Sequence, residues 1–226
     1  MENSTFICNR QDSSKKQVIM FIVGEEMKKK FLNYSGNLLR KSGDYSEEKI
    51  EIILYGLEAV YLMITKMVVI FLLAYVLGIL KETLILLISY NVIRSQAFGI
   101  HASKSIYCLI SSILLFVGGA LLCKYVTLPL WGMIVGAIVC NICLLLYAPA
   151  DTHKRPLVNE KKRKRFKYVS FSLGIIYTVL IIVFRDYSIV NYLLFGMMEA
   201  VLMILPLTYK TFHLPYNNYK TYQYGV

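Results

Sequence analysis

Histidine, acidic residues and organised cysteine are all scarce in this sequence, and each scarcity removes a class of function. Three histidines stand among 226 residues. The five cysteines (Cys8, Cys108, Cys123, Cys140 and Cys143) show neither zinc spacing nor a disulfide framework. Cys140 and Cys143 do read C-x-x-C, but they lie in an apolar run with no second pair, where small core-filling thiols are expected. No metal and no cofactor are expected. Met1 to Lys16 is polar and holds no apolar core, so no cleavable signal peptide is expected.

Apolar residues, by contrast, are abundant. They make up 57% of the chain, with a mean hydropathy of +0.54. Soluble domains sit near about 45–50%. The excess is concentrated in runs, which belong to membrane spans rather than to a larger core. Lys and Arg number 25 against 14 Asp and Glu, a net charge of +11. The basic residues flank the apolar runs, which favours anionic membrane lipid as a partner and excludes nucleic acid.

The expected fold class is all-α: a polytopic membrane helix bundle with about six transmembrane helices and an N-terminal interfacial amphipathic helix. The spans fall at 52–80, 83–93, 106–123, 126–148, 168–184 and 189–207. The second has only 11 apolar residues, too few to cross, so it must continue into 94–100 or enter partway and bend. The spacing of Phe31, Leu32, Tyr34, Leu38 and Leu39 among lysines suits an amphipathic helix lying on the membrane. The expected organisation is a cytoplasmic extension and interfacial segment at 1–50, a transmembrane domain at 51–208 and a Tyr-rich tail at 209–226. Within the domain, 94–108 holds the candidate chemistry and 149–167 forms a basic loop. Residues 151–167 carry eight Lys or Arg, which puts that loop, both termini and the 94–105 segment on the cytoplasmic side.

Chemistry is expected between the second and third spans, where Arg94, His101 and Cys108 stand seven apart. A Cys beside a His can form a thiolate–imidazolium pair that attacks a carbonyl and returns a proton to a leaving amine. Arg94 could favour the thiolate or hold a substrate carboxylate, and Gln96 or backbone amides could stabilise an oxyanion. On one continuous helix His101 and Cys108 would share a face but lie about 10 Å apart along the axis, too far for contact. A catalytic pair therefore requires a break, for which Gly99, Ser103 and Ser105 are suited. Intramembrane Glu58, Lys66 and Glu199 are costly, and Lys66 and Glu199 could form an ion pair across the bundle. Asp151 is an alternative partner for His101.

Arg94-x6-His101-x6-Cys108, with Gly99 two before the His, closely resembles the AgrB family of accessory gene regulator endopeptidases. Tyr147-Ala-Pro-Ala followed by Lys154-Arg-Pro, Lys66 in the first span, and Glu199-Ala followed by Leu205-Pro206 are similar to further blocks of that family. The resemblance runs from about residue 30 to 210. It implies a membrane cysteine endopeptidase in Gram-positive quorum sensing and virulence regulation. Its substrate would be an AgrD-like pro-peptide, cyclised through an acyl-enzyme to a thiolactone or lactone. It also implies Cys108 as nucleophile, His101 as general base and acid, supporting roles for Arg94 and Gly99, and a homodimer. Two rivals stand beside it: a membrane peptide transporter, which would tolerate Cys108→Ser, and a non-catalytic membrane scaffold, whose function would rest on Lys161 to Arg165.

Overall fold

The computed structural model describes residues 26–43, 45–100, 105–152 and 156–223. The N-terminal extension with Cys8, the candidate base His101, Ser103 and His153 lie outside the described residues. Among the described residues the chain is helical and has no strand; Phe98 and Ala150 form an isolated bridge. It divides into two compact units, Met1–Val68 and Val69–Val226.

In the first unit, helix α1 spans 26–42 and the chain turns at Gly43, whose φ of +71° is readily reached only without a Cβ. Helix α2, Glu47–Val76, opens with Glu47 and Glu48, whose charges suit the positive end of a helix. Phe31 stacks on Tyr61 at 5.3 Å, and Lys28 pairs with Glu58 at 3.0 Å. The expected amphipathic segment is thus helical where described, and Glu58 has an ionic partner on it.

In the second unit the central element is α3, Leu80–Ala97. It continues past the short apolar run and through Arg94, the first of the two expected alternatives. The next rod, which carries Cys108 near its start, is built of α4 (Ser105–Ile113), a π-helical turn (Leu114–Gly118) and α5 (Gly119–Tyr125). Helices α6 (Leu130–Tyr147), α7 (Glu160–Val183) and α8 (Ile189–Leu202) follow. Helix α8 meets α3 backbone to backbone: a Cβ on Gly196 would lie 2.7 Å from the Ser89 Cβ and 2.8 Å from the Tyr90 amide. Small residues at such crossings allow helices without a hydrophobic drive between them to gain dispersion contacts. Asn141 on α6 donates to the Ala137 carbonyl at 2.9 Å, the Gly174 carbonyl at 3.3 Å and Thr178 Oγ1 at 2.9 Å, tying α6 to α7.

Among the described residues, four helices are long and apolar enough to cross a membrane: Glu47–Val76, Ile106–Tyr125, Leu130–Tyr147 and Glu160–Val183. Large apolar residues on them are exposed, among them Ile52, Val135, Ile142, Ile175 and Val179. In water such faces would aggregate, whereas hydrocarbon is their natural solvent. The chain is an all-α, multi-pass membrane protein. Helix α3 is more polar and buries Thr83, Ser89 and Tyr90 inside the bundle.

Two expected boundaries move. The basic run Lys161–Arg165, expected in a loop, forms the first turns of α7. Asn159 caps that helix by accepting from the Lys162 amide at 3.1 Å, and straight-chain Lys and Arg are good helix formers. The expected sixth span at 189–207 breaks after Leu202. Pro206 disfavours helical backbone at Leu205, which is extended at φ −64° and ψ 137°, and Pro206 then opens α9 (Pro206–Thr211). A last helix, α10, spans Tyr219–Gln223.

Candidate functional site

Helix α3 ends at Ala97 because the next two residues leave helical space. Phe98 has φ 57° and ψ −135°, a conformation a bulky residue holds at a cost of roughly 1–3 kcal/mol, and Gly99 has φ +112°. Neighbours hold this strained segment at several points. The Phe98 amide donates to the Arg94 carbonyl at 3.0 Å, and its ring meets Phe166 edge-on at 5.0 Å. The Gly99 amide donates to the Ala150 carbonyl at 2.8 Å, and the Ala150 amide returns to the Ala97 carbonyl at 2.9 Å. The Ile100 amide donates to the Met203 carbonyl at 3.1 Å.

The Arg94 side chain folds over the same segment. Its Nη2 donates to the Ile100 carbonyl, one residue before His101. Its Nη1 is buried, without a hydrogen-bond partner among the described residues, and crowds the place a Cβ on Gly99 would take. That Cβ would also lie 2.5 Å from the Met203 carbonyl oxygen, so only glycine fits. The structure therefore brings Arg94 and Gly99 together, with the guanidinium bonded to the site's own backbone. Gln96, two residues further along the helix and so on another face, donates to Ser95 Oγ at 3.1 Å.

Cys108 sits in the opening turns of α4, half-buried and in no disulfide. Helix α3 ends at Ala97 and residues 98–100 are not helical, so no continuous helix runs from 94 to 110. The phenol of buried Tyr90 lies within electrostatic reach of Arg94, Glu199 and Cys108. Of the other intramembrane charges, Lys66 lies on α2 in the first unit and Glu199 on α8 in the second. Glu199 is 6% exposed, and its Oε2 has no hydrogen-bond partner among the described residues.

Asp151 has a role that sequence reasoning missed. Its carboxylate is 3% exposed and accepts from the amides of Asn218 at 3.0 Å, Tyr219 at 2.7 Å and Leu157 at 3.4 Å. Tyr209, buried beside it, donates its hydroxyl to the Asp151 carbonyl at 3.0 Å. Burial holds that phenol above its ordinary pKa, so it remains a donor at neutral pH. Arg163 lies over the Tyr219 ring at 3.7 Å, and Tyr209 meets Tyr216 edge-on at 5.0 Å. The only signals in the sequence were Pro206, which stops the sixth run, and an acid at the head of a basic stretch.

Comparison with known proteins identifies relatives. The family model described as AgrB, accessory gene regulator B, matches residues 32–205. An AgrB-like protein of Clostridium acetobutylicum is 35% identical over 168 residues, which cover 74% of this chain and 80% of that protein. An AgrB-like protein of Listeria monocytogenes is 31% identical over 75% of this chain and 83% of its own. The accessory gene regulator protein B of Staphylococcus carnosus is 36% identical over 54% of this chain and 63% of its own. No solved structure matches.

Proposed function

We propose, from the premise that this chain belongs to the accessory gene regulator B family, that it is a membrane-embedded cysteine endopeptidase acting through Cys108 and His101. Family membership itself assigns the chain a role in accessory gene regulator processing, the quorum-sensing step. The observation that carries the finer reading is the end of helix α3 at Ala97, with residues 98–100 outside the helix. A continuous helix would hold positions 101 and 108 about 10 Å apart along its axis. The break removes that constraint at the place where a dyad needs it removed. The segment entering His101 is held by Arg94, Ala150 and Met203, as a site that must keep a fixed geometry requires.

In the proposed reaction the Cys108 thiolate attacks a peptide carbonyl of an AgrD-like pro-peptide. The C–N bond breaks, His101 gives its proton to the departing amine, and an acyl thioester remains on Cys108. A thiol or hydroxyl of the bound peptide then gives its proton to His101, left neutral by the first step, and attacks the thioester carbonyl. The C–S bond breaks, Cys108 leaves as thiolate and the peptide closes as a thiolactone or lactone. The thioester conserves the reactivity of the cleaved bond, so ring closure needs no nucleotide. The basic first turns of α7 support a cytoplasmic setting for this end of the bundle.

The test is mass spectrometry of the purified protein in liposomes with its candidate pro-peptide, comparing wild type, Cys108→Ala and His101→Ala. The expected result is cleaved peptide and an acyl adduct on Cys108 with wild type alone. A verified cognate peptide left intact by wild type would sink the peptidase reading in favour of a transporter or scaffold.

A further inference from the structure

We propose that the C-terminal segment from Leu205 to Tyr219 is a working part of the catalytic site, and that Asp151 is the positioning residue through which it acts. The inference rests on the His101–Cys108 reading above. It assigns a role to a stretch that begins where the family match ends, at residue 205.

A buried carboxylate is costly unless its oxygens are satisfied. Asp151 meets this cost with backbone amides, two of them, from Asn218 and Tyr219, supplied by the tail. Its own carbonyl takes the Tyr209 hydroxyl, again from the tail. One residue back, Ala150 holds the Ala97 carbonyl and the Gly99 amide on either side of the strained Phe98. The Met203 carbonyl, at the root of the tail, holds Ile100. The backbone that enters His101 is thus fixed from two sides, one set by Met203 and the other by an Asp151 that the tail keeps in place. Without the tail amides, Asp151 must turn toward water to regain hydrogen bonds. Ala150, bonded to it covalently, moves with it, and the Ala97–Ile100 path is released.

This role differs from generic stabilisation in what it does to Cys108. An isolated thiol of pKa about 8.5 is about 1% thiolate at pH 6.5, whereas a thiol held against a histidine is largely ionised there. The experiment measures iodoacetamide alkylation at pH 6.5 in full-length protein in liposomes, quantified by mass spectrometry of the peptide bearing Cys108. Wild type is compared with His101→Ala, Asp151→Ala, Asp151→Asn and a chain stopped after Phe212. Each variant is first checked for an intact helical spectrum and a cooperative melt.

The expected result is an alkylation rate at least about tenfold lower for His101→Ala, and at least about fivefold lower for Asp151→Ala and the shortened chain. Asp151→Asn, which keeps one acceptor oxygen, should recover much of the rate. If Asp151→Ala fails to fold, the shortened chain decides. Folded variants that alkylate like wild type while His101→Ala is slow would overturn the role of the tail and leave the dyad standing. Wild-type reactivity in His101→Ala would overturn the dyad and this inference with it.

Discussion

Replacing Gly99 with alanine should disable the site before it unfolds the protein. Three costs converge on one methyl group. An L-residue at φ +112° is strained by roughly 1–3 kcal/mol. The new Cβ would lie 2.5 Å from the Met203 oxygen and 2.9 Å from its carbon, both backbone atoms that yield only if the 3.1 Å bond to the Ile100 amide lengthens. Losing that bond costs about 0.5–1.5 kcal/mol. The methyl also occupies the place of Arg94 Nη1, so the guanidinium must leave the Ile100 carbonyl, for about 1.5–3 kcal/mol more. Together they reach about 3–7.5 kcal/mol, enough to displace the segment from its native path. The expected outcome is a rearranged 97–100 segment and peptide cleavage at least about 100-fold slower, since about 2.7 kcal/mol already gives that factor. Cleavage kinetics, the melting curve and hydrogen exchange at the Gly99 and Ile100 amides would read it. Gly56→Ala is the matched control, because nothing lies within 4 Å of a Cβ there. Gly99→Ala with wild-type cleavage and wild-type amide protection would refute the reasoning.

Further outcomes follow from the packing. Asn141→Leu removes the link from α6 to Gly174 and Thr178 and should cost about 1–2 kcal/mol, read as a lower melting temperature in detergent with Cys108 alkylation unchanged. The Lys28–Glu58 pair is half-exposed on its acidic side, so a double-mutant cycle on stability should give a coupling of about 1 kcal/mol or less. A coupling several times larger would mean that water is excluded from the pair.

The helices were legible because a backbone in hydrocarbon must satisfy itself, so long apolar runs have few alternatives to the helix. Misjudged boundaries had local causes. Asn159 caps a helix whose first turns are too charged to read as part of a span, and Pro206 ends one that hydropathy alone would extend. Within the site, Gly99 was legible as a break, and its positive φ and crowded surroundings say why glycine stands there. Arg94 was legible as a residue that could favour the thiolate or hold a substrate carboxylate; the bond from its Nη2 to the Ile100 carbonyl was not legible. Met203 and the Asp151 clamp were illegible for one reason. They work through backbone carbonyls and amides, which every residue carries and no pattern of side chains announces. Lys28 and Glu58 were each visible as charges, but their pairing depends on how α1 folds onto α2.

The π-helical turn at Leu114–Gly118 acts on Cys108 as a phase shift. In an unbroken α-helix, Cys108 and Gly119 would fall within about 20° of the same bearing. Gly119 sits hard against Glu199 and Leu86, so that bearing leads into the packed interior. One extra residue in the wide turn rotates everything before it by about 100° relative to everything after it. The same rod can therefore press its far half against α3 and α8 while aiming its near half elsewhere. The bearing of the thiol is set by a residue count in the middle of the membrane, independently of the contacts that fix the rod in place.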